Sequence, residues 1–141
     1  MGEEMTPEIT LQKAIRGRLV ATSDITDLVP AAAILDRNER PAPDPSIVIG
    51  EGQSRDEGDT IARNRVTIFM DLHVWKREPS TAGVKAIAGA IRKALHSGRL
   101  TLDAGFHCVD CRVTAARFLR DPDGETSHAA VLVEAIVEET S

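Results

Sequence analysis

Aromatic side chains are nearly missing from this 141-residue chain: there is no tyrosine, and three phenylalanines with one tryptophan bring the total to 3%. So sparse a set cannot build a platform on which nucleic-acid bases stack. Runs of basic residues are missing too. Lys and Arg number 17 against 22 Asp and Glu, a net charge of −5, which argues against binding nucleic acid through a basic face. No apolar stretch approaches the roughly 18 residues that span a bilayer. The opening Met1-Gly2-Glu3-Glu4 is acidic, unlike a secretory leader, so a cytoplasmic start is expected. There is no G-x-G-x-x-G, no phosphate loop ending in Gly-Lys-Ser/Thr and no G-x-S-x-G nucleophile elbow. Cysteine occurs twice, as Cys108 and Cys111, and that pair in a cytoplasmic chain argues against a disulfide framework.

What is present is an ordinary globular mixture, 42% hydrophobic and 28% charged, which argues against disorder. The length suits one domain over 1–141, because two halves would each be too small to bury a core. Residues 1–5 read as a loose tail. Thr6 before Pro7 pairs a capping hydroxyl with proline at the first helical position. Leu11, Ala14, Ile15 and Leu19 then recur at helical spacing to about Ala21. A short turn is expected within 23–30 and a short strand at Ile34 and Leu35. An extended, proline-rich connection over 36–45 follows.

Ile47, Val48 and Ile49 mark a buried strand over 46–51. Residues 50–64 hold four acids, two arginines and little to bury, and read as a long mobile loop. Across 65–77, Val66, Ile68, Met70, Leu72 and Val74 alternate with Thr67, Phe69, Asp71, His73 and Trp75, the period-2 pattern of a strand with one buried face. Ser80 is placed to cap a second helix with the stripe Val84, Ile87, Ala88, Ile91 and Leu95, ending at Gly98. A short strand is expected at 100–102. Residues 108–120 and 127–138 are long strands joined through Asp121-Pro122-Asp123-Gly124, a hairpin signal. The sum is an α+β fold: a mainly antiparallel sheet of about four strands with two main helices packed on one face.

Chemistry is thinly represented. Cys108-x-x-Cys111 with His107 beside it is short of four zinc ligands. On an unbroken strand, positions three apart also point to opposite faces, so both sulfurs are expected to diverge. His73, His96, His107 and His128 are scattered over different elements, though His73 and His128 could face each other across strands. Asp121 and Asp123 flank a tight turn and are explained by turn chemistry. No catalytic residue, metal or cofactor is therefore expected. Trp75 beside Lys76 and Arg77 is a candidate partner anchor, and packing within the monomer is the competing account. Arg55, Asp56, Glu57, Asp59 and Arg63 give the long loop mixed charge, suited to ordering against a partner or simply to solvation.

In order and spacing these stretches resemble the tail-terminator, or tail-completion, proteins of long-tailed phages and phage-like gene transfer particles. The carrying residues are His73-Val74-Trp75-Lys76-Arg77, the alanine-rich helix through Ala86-Ile87-Ala88 and Ile91-Arg92-Lys93-Ala94-Leu95, and Leu100-Thr101-Leu102. Arg120-Asp121-Pro122-Asp123-Gly124 follows, with Thr126 and His128 leading into the last strand, while upstream Pro45 precedes a strand ending in Gly50-Glu51. The similarity runs from about Leu11 to Glu138. It departs at Glu78-Pro79-Ser80, where glycines are common, and at Ser46, where an aromatic is common.

The resemblance implies a structural protein and no enzyme: a homohexameric ring at the head-proximal end of the tail tube. Such a ring ends tube growth and joins the tail to the head-side connector or stopper. DNA would pass through its lumen without specific binding, and no membrane would be involved. Assembly would take place in the bacterial cytoplasm, and the finished ring would sit in the tail or neck of the particle. Under this reading Trp75, Lys76, Arg77, Arg120, Asp121 and Asp123 are candidate ring or partner contacts. Arg55, Asp56, Glu57, Asp59 and Arg63 are then candidate lumen or tube contacts. Another neck protein, a head-closure or stopper subunit, is the nearest alternative; a small metal-dependent enzyme using Cys108, Cys111 and a histidine is a remoter one.

Overall fold

The computed structural model describes residues 4–39 and 42–140. The tail expected over 1–5 lies mostly outside the described residues; its last two, Glu4 and Met5, have no regular structure. Helix α1 (Pro7–Val20) starts as its sequence dictates: Thr6 is extended and its hydroxyl accepts the Ile9 N–H at 3.2 Å, with Pro7 in the first turn. Its stripe of Leu11, Ile15 and Leu19 is fully buried. A single turn, α2 (Ser23–Thr26), and a 3-10 turn (Ala31–Ala33) lead into strand β1 (Ile34–Leu35). Then come β2 (Ser46–Arg55), β3 (Arg65–Lys76), α3 (Ala82–His96), β4 (Phe106–Arg120) and β5 (Ser127–Glu139).

The strands form one mixed sheet in the order β1-β2-β3-β5-β4, with β1 parallel to β2 and every other pair antiparallel. The α+β expectation holds, with five strands. Alternation decides which face is covered: Ile68, Met70, Leu72 and Val74 of β3 and Ala129, Val131, Val133, Ala135 and Val137 of β5 point to the helices. Val84, Ile87, Ile91 and Leu95 of α3 meet them in one continuous core. Each Val, Leu, Ile or Met among them contributes about 1.5–3 kcal/mol by leaving water.

Two polar ties hold the helical layer. The Arg18 guanidinium of α1 donates to the carbonyls of Ala94 (2.8 Å), Gly98 (3.3 Å) and Arg99 (3.3 Å) at the end of α3, and to the Ser97 hydroxyl (3.1 Å). Thr10, buried in α1, donates its hydroxyl to Asp103 at 2.7 Å and accepts the Asp103 N–H at 2.8 Å.

Several boundaries differ from the sequence reading for physical reasons. Residues 100–102 are not a strand. Leu100 fills the core while the backbone at Asp103 is bonded to Thr10, so the segment is tied to α1 and not to a ladder. Helix α3 starts at Ala82, with Thr81 and not Ser80 at the cap position. Its first free N–H groups are met from upstream, Ala82 by the Ser80 hydroxyl (3.1 Å) and Gly83 by the Glu78 carboxylate (2.9 Å). The loop expected over 50–64 begins only after Arg55, because Gly52, Gln53, Ser54 and Arg55 pair with Met70, Phe69, Ile68 and Thr67 of β3. Register shifts break the ladders between Ile49 and Gly52 in β2, and between Cys108 and Asp110 and between Val113 and Ala115 in β4. Each is a bulge carrying one extra residue.

Candidate functional site

The sheet face away from α1 and α3 has no covering layer among the described residues, and most side chains that β3 and β5 turn to it are only half-buried. Strand alternation puts Asp71, His73 and Trp75 of β3 on this face, and antiparallel register sets His128 of β5 opposite Trp75. The Trp75 and His128 rings stack 3.9 Å apart and 3° from parallel. His73 Nδ1 lies 3.0 Å from His128 Nε2, while His73 Nε2 lies 2.9 Å from the Glu51 carboxylate. Burial, with the charge of His73 second, pushes the His128 pKa down and favours its neutral ring. The hydrogen bond from His73 holds Glu51 below the usual carboxylate range.

Glu51 arrives there through a bulge. Ile49 pairs with Leu72 and Gly52 with Met70, so Gly50 and Glu51 together oppose Asp71. The extra residue reverses the parity of the strand and turns Glu51 toward Asp71 and His73. At Gly50 a Cβ would lie 2.7 Å from His73 Cδ2 and 2.9 Å from Nε2, so the imidazole occupies the space a side chain would need. Sequence reasoning paired His73 with His128 but missed Glu51 and Asp71. The spacing Gly50-x-Gly52 inside a strand was the available signal for a bulge.

The candidate contacts Trp75, Lys76, Arg77, Arg120, Asp121 and Asp123 come together at one end of the sheet. Ser127 of β5 pairs with Lys76 on one side and with Arg120 on the other. Arg77 reaches Glu125 at 3.0 Å, Lys76 reaches Glu78 at 3.1 Å, and Arg120 Nε donates to the Pro79 carbonyl at 3.2 Å. Asp123 organises the turn by accepting the N–H groups of Glu125 (2.8 Å) and Thr126 (2.9 Å) and the Thr126 hydroxyl (2.9 Å), which holds its carboxyl below the ordinary range. Asp121 is the other half of that turn, its N–H donating to the Thr126 carbonyl.

Arg55, Asp56, Glu57, Asp59 and Arg63 lie at the opposite end, where β2 turns into β3. Twelve residues of β3 separate the two patches, roughly 36 Å at 3.3 Å per step, so they cannot belong to one contact. The loop acids are partly answered locally: Glu57 pairs with Arg55 at 3.7 Å and Asp59 with Arg65 at 3.4 Å, while Asp56 accepts the Gly58 N–H. Ile61 projects from this loop fully exposed.

The two cysteines correct an expectation. The bulge after Cys108 restores parity, so Cys108 pairs with Val137 and Cys111 with Ala135, both core-facing positions of β5. Both sulfurs therefore lie on the helix side and do not diverge. Burial raises both thiols, Cys111 to about 12, the reverse of what a reactive or metal-binding thiolate needs.

Strand β4 is an edge of the sheet, and beyond its second bulge residues 115–120 are all exposed, Phe118 at 38% and Leu119 at 40%. This stretch of β4 thus leaves the outer edge of the sheet open, with a free row of backbone donors and acceptors, while Ser127, Ala129 and Val131 of β5 beside it stay buried.

A family model described as tail completion protein gp17 matches residues 13–138. No curated protein sequence matches the chain. Among solved structures, a chain from "Virion of native gene transfer agent (GTA) particle" superposes with a TM-score of 0.82, covering 96% of this chain and 99% of its own length. At 22% identity that likeness is one of fold. No helix of the described residues is long and apolar enough to cross a membrane. The family match takes in the second half of α1, all of α3 and the whole sheet up to its last residue, and on it the chain belongs to the tail completion protein gp17 family.

Proposed function

We propose that this tail-completion protein acts structurally, as a homohexameric ring that caps the head-proximal end of the tail tube, stops tube growth and docks the head-side connector or stopper. The open, exposed edge of β4 is the observation that carries the reading. A free edge strand lacks a partner for its outer backbone groups, and a neighbouring copy can supply one by strand addition. Contacts of that head-to-tail kind close into a ring when the rotation between copies divides a full turn. The patches at the two ends of β3 are far enough apart to meet different partners, one the tube protein and the other the connector side. A chain with net charge −5 suits a lumen through which DNA slides, since like charge opposes phosphate binding.

The test has two parts. Native mass spectrometry of the wild-type chain should find a hexamer, while Phe118→Asp with Leu119→Asp should leave a monomer. A melting curve of the pair separates loss of the ring from loss of the fold. Electron microscopy of particles assembled without the chain should show overlong tails or tails unjoined to heads. Normal-length tails on joined heads would refute the reading.

A further inference from the structure

We propose that Glu51, Asp71 and His73 form a binding site for one divalent transition-metal ion of the zinc type on the open face of the sheet. Their ligand atoms already lie within 4.8 Å of one another. Ligands at about 2.1 Å in tetrahedral geometry stand roughly 3.4 Å apart, so closing the site takes a movement of about an ångström. Glu51 is the exposed member and supplies it by rotation.

Three features set this trio apart from an ordinary surface group of acids. The β2 bulge spends an extra residue on turning Glu51 to this face, where plain alternation would have sent it to the other. Gly50 leaves the room that the His73 ring fills, down to 2.7 Å from where a Cβ would stand. Behind the ligands, His73 Nδ1 lies 3.0 Å from His128 Nε2, and Trp75 stacks on the His128 ring. An ion entering the site displaces the proton by which His73 Nε2 meets Glu51, and with Nδ1–H donating to His128 the ring is oriented from behind as ligating histidines are. Two carboxylates match the charge of a divalent ion. An imidazole among them favours zinc, nickel or copper over magnesium or calcium, which prefer oxygen alone. Three protein ligands leave a fourth position for water. The site is independent of the ring proposed above, since all of its ligands come from one chain.

Calorimetric titration of the untagged full-length chain with Zn2+ tests it. The wild type should bind one ion saturably below millimolar concentration. His73→Ala and Asp71→Asn should each abolish that binding, and Asp71→Asn, nearly the same shape, keeps the test open if His73→Ala fails to fold. His128→Gln should weaken binding by roughly 10- to 100-fold, as loss of an orienting partner does. Cys108→Ala with Cys111→Ala should bind as the wild type. No saturable binding by the wild type, binding that persists in Asp71→Asn, or binding lost with the cysteines would each overturn the proposal.

Discussion

Replacing Arg18 with alanine should lower stability by about 2 kcal/mol, most of it from one hydrogen bond. The bond to the Ala94 carbonyl, 2.8 Å and partly buried, is a charge-assisted contact worth about 1.5–3 kcal/mol. The contacts to Ser97, Gly98 and Arg99 are longer and exposed, and add little against solvent. These groups sit at the C-terminal end of α3, where backbone carbonyls lack partners within the helix and the dipole favours a cation. At about 4 °C per kcal/mol for a domain of this size, the melting temperature should fall by about 8 °C. Arg18→Lys separates the two effects. It keeps the charge but loses the planar fork that reaches two positions at once, so it should recover about half the loss. In 1 M salt, where screening acts within about 3 Å, the gap between lysine and arginine should persist. Thermal melting followed by circular dichroism reads all of this. If Arg18→Ala melts within 2 °C of the wild type, or Arg18→Lys equals arginine, the tie between α1 and α3 has been misjudged.

Ile91→Ala, at a position with no exposure in the centre of the α3 stripe, should cost about 2–5 kcal/mol in urea unfolding. Cys111 titrates near 12 in the fold against an ordinary 9.0, so its contribution is intact below pH 9 and lost as pH climbs from 9 toward 12; urea midpoints across that range should fall less steeply in Cys111→Ala. Asp123 has the opposite sign. Its carboxyl is held below the ordinary 3.8, so its contribution is present above about pH 4 and lost as pH falls further, and Asp123→Asn should flatten the acid limb of a pH–stability profile. Gly50→Ala should push the His73 ring off Glu51, seen as a shift of the His73 imidazole resonances by NMR; an unmoved ring would refute the close approach.

The elements that were legible in the sequence are those whose signals are local. Thr6-Pro7 fixed the start of α1, the alternation from Val66 to Val74 fixed β3 and its buried face, and Asp121-Pro122-Asp123-Gly124 fixed the hairpin. The second half of β2 was not legible because Gly52, Gln53, Ser54 and Arg55 have little strand character of their own; the ladder with β3 holds them extended. The bulges were the larger loss. One inserted residue reverses which face every later side chain takes, so counting by twos put Cys108 and Cys111 on opposite faces and left Glu51 out of the group around His73. That information resides in the pairing between strands, which no window along one strand contains.

The position of β5 bears on how the chain is made. It is the last strand in the sequence, yet it lies between β3 and β4 and contributes five wholly buried residues to the core. During synthesis at about 5–20 residues per second, roughly 3–12 s separate the appearance of Lys76 from that of Glu139. Through that interval β3 and β4 each lack the strand that joins them, and the nascent sheet exists only as separate pieces. Completion of the sheet therefore waits on β5, and a message truncated before Ser127 yields a chain in which β3 is paired with β2 alone, β4 has no partner and the core is open.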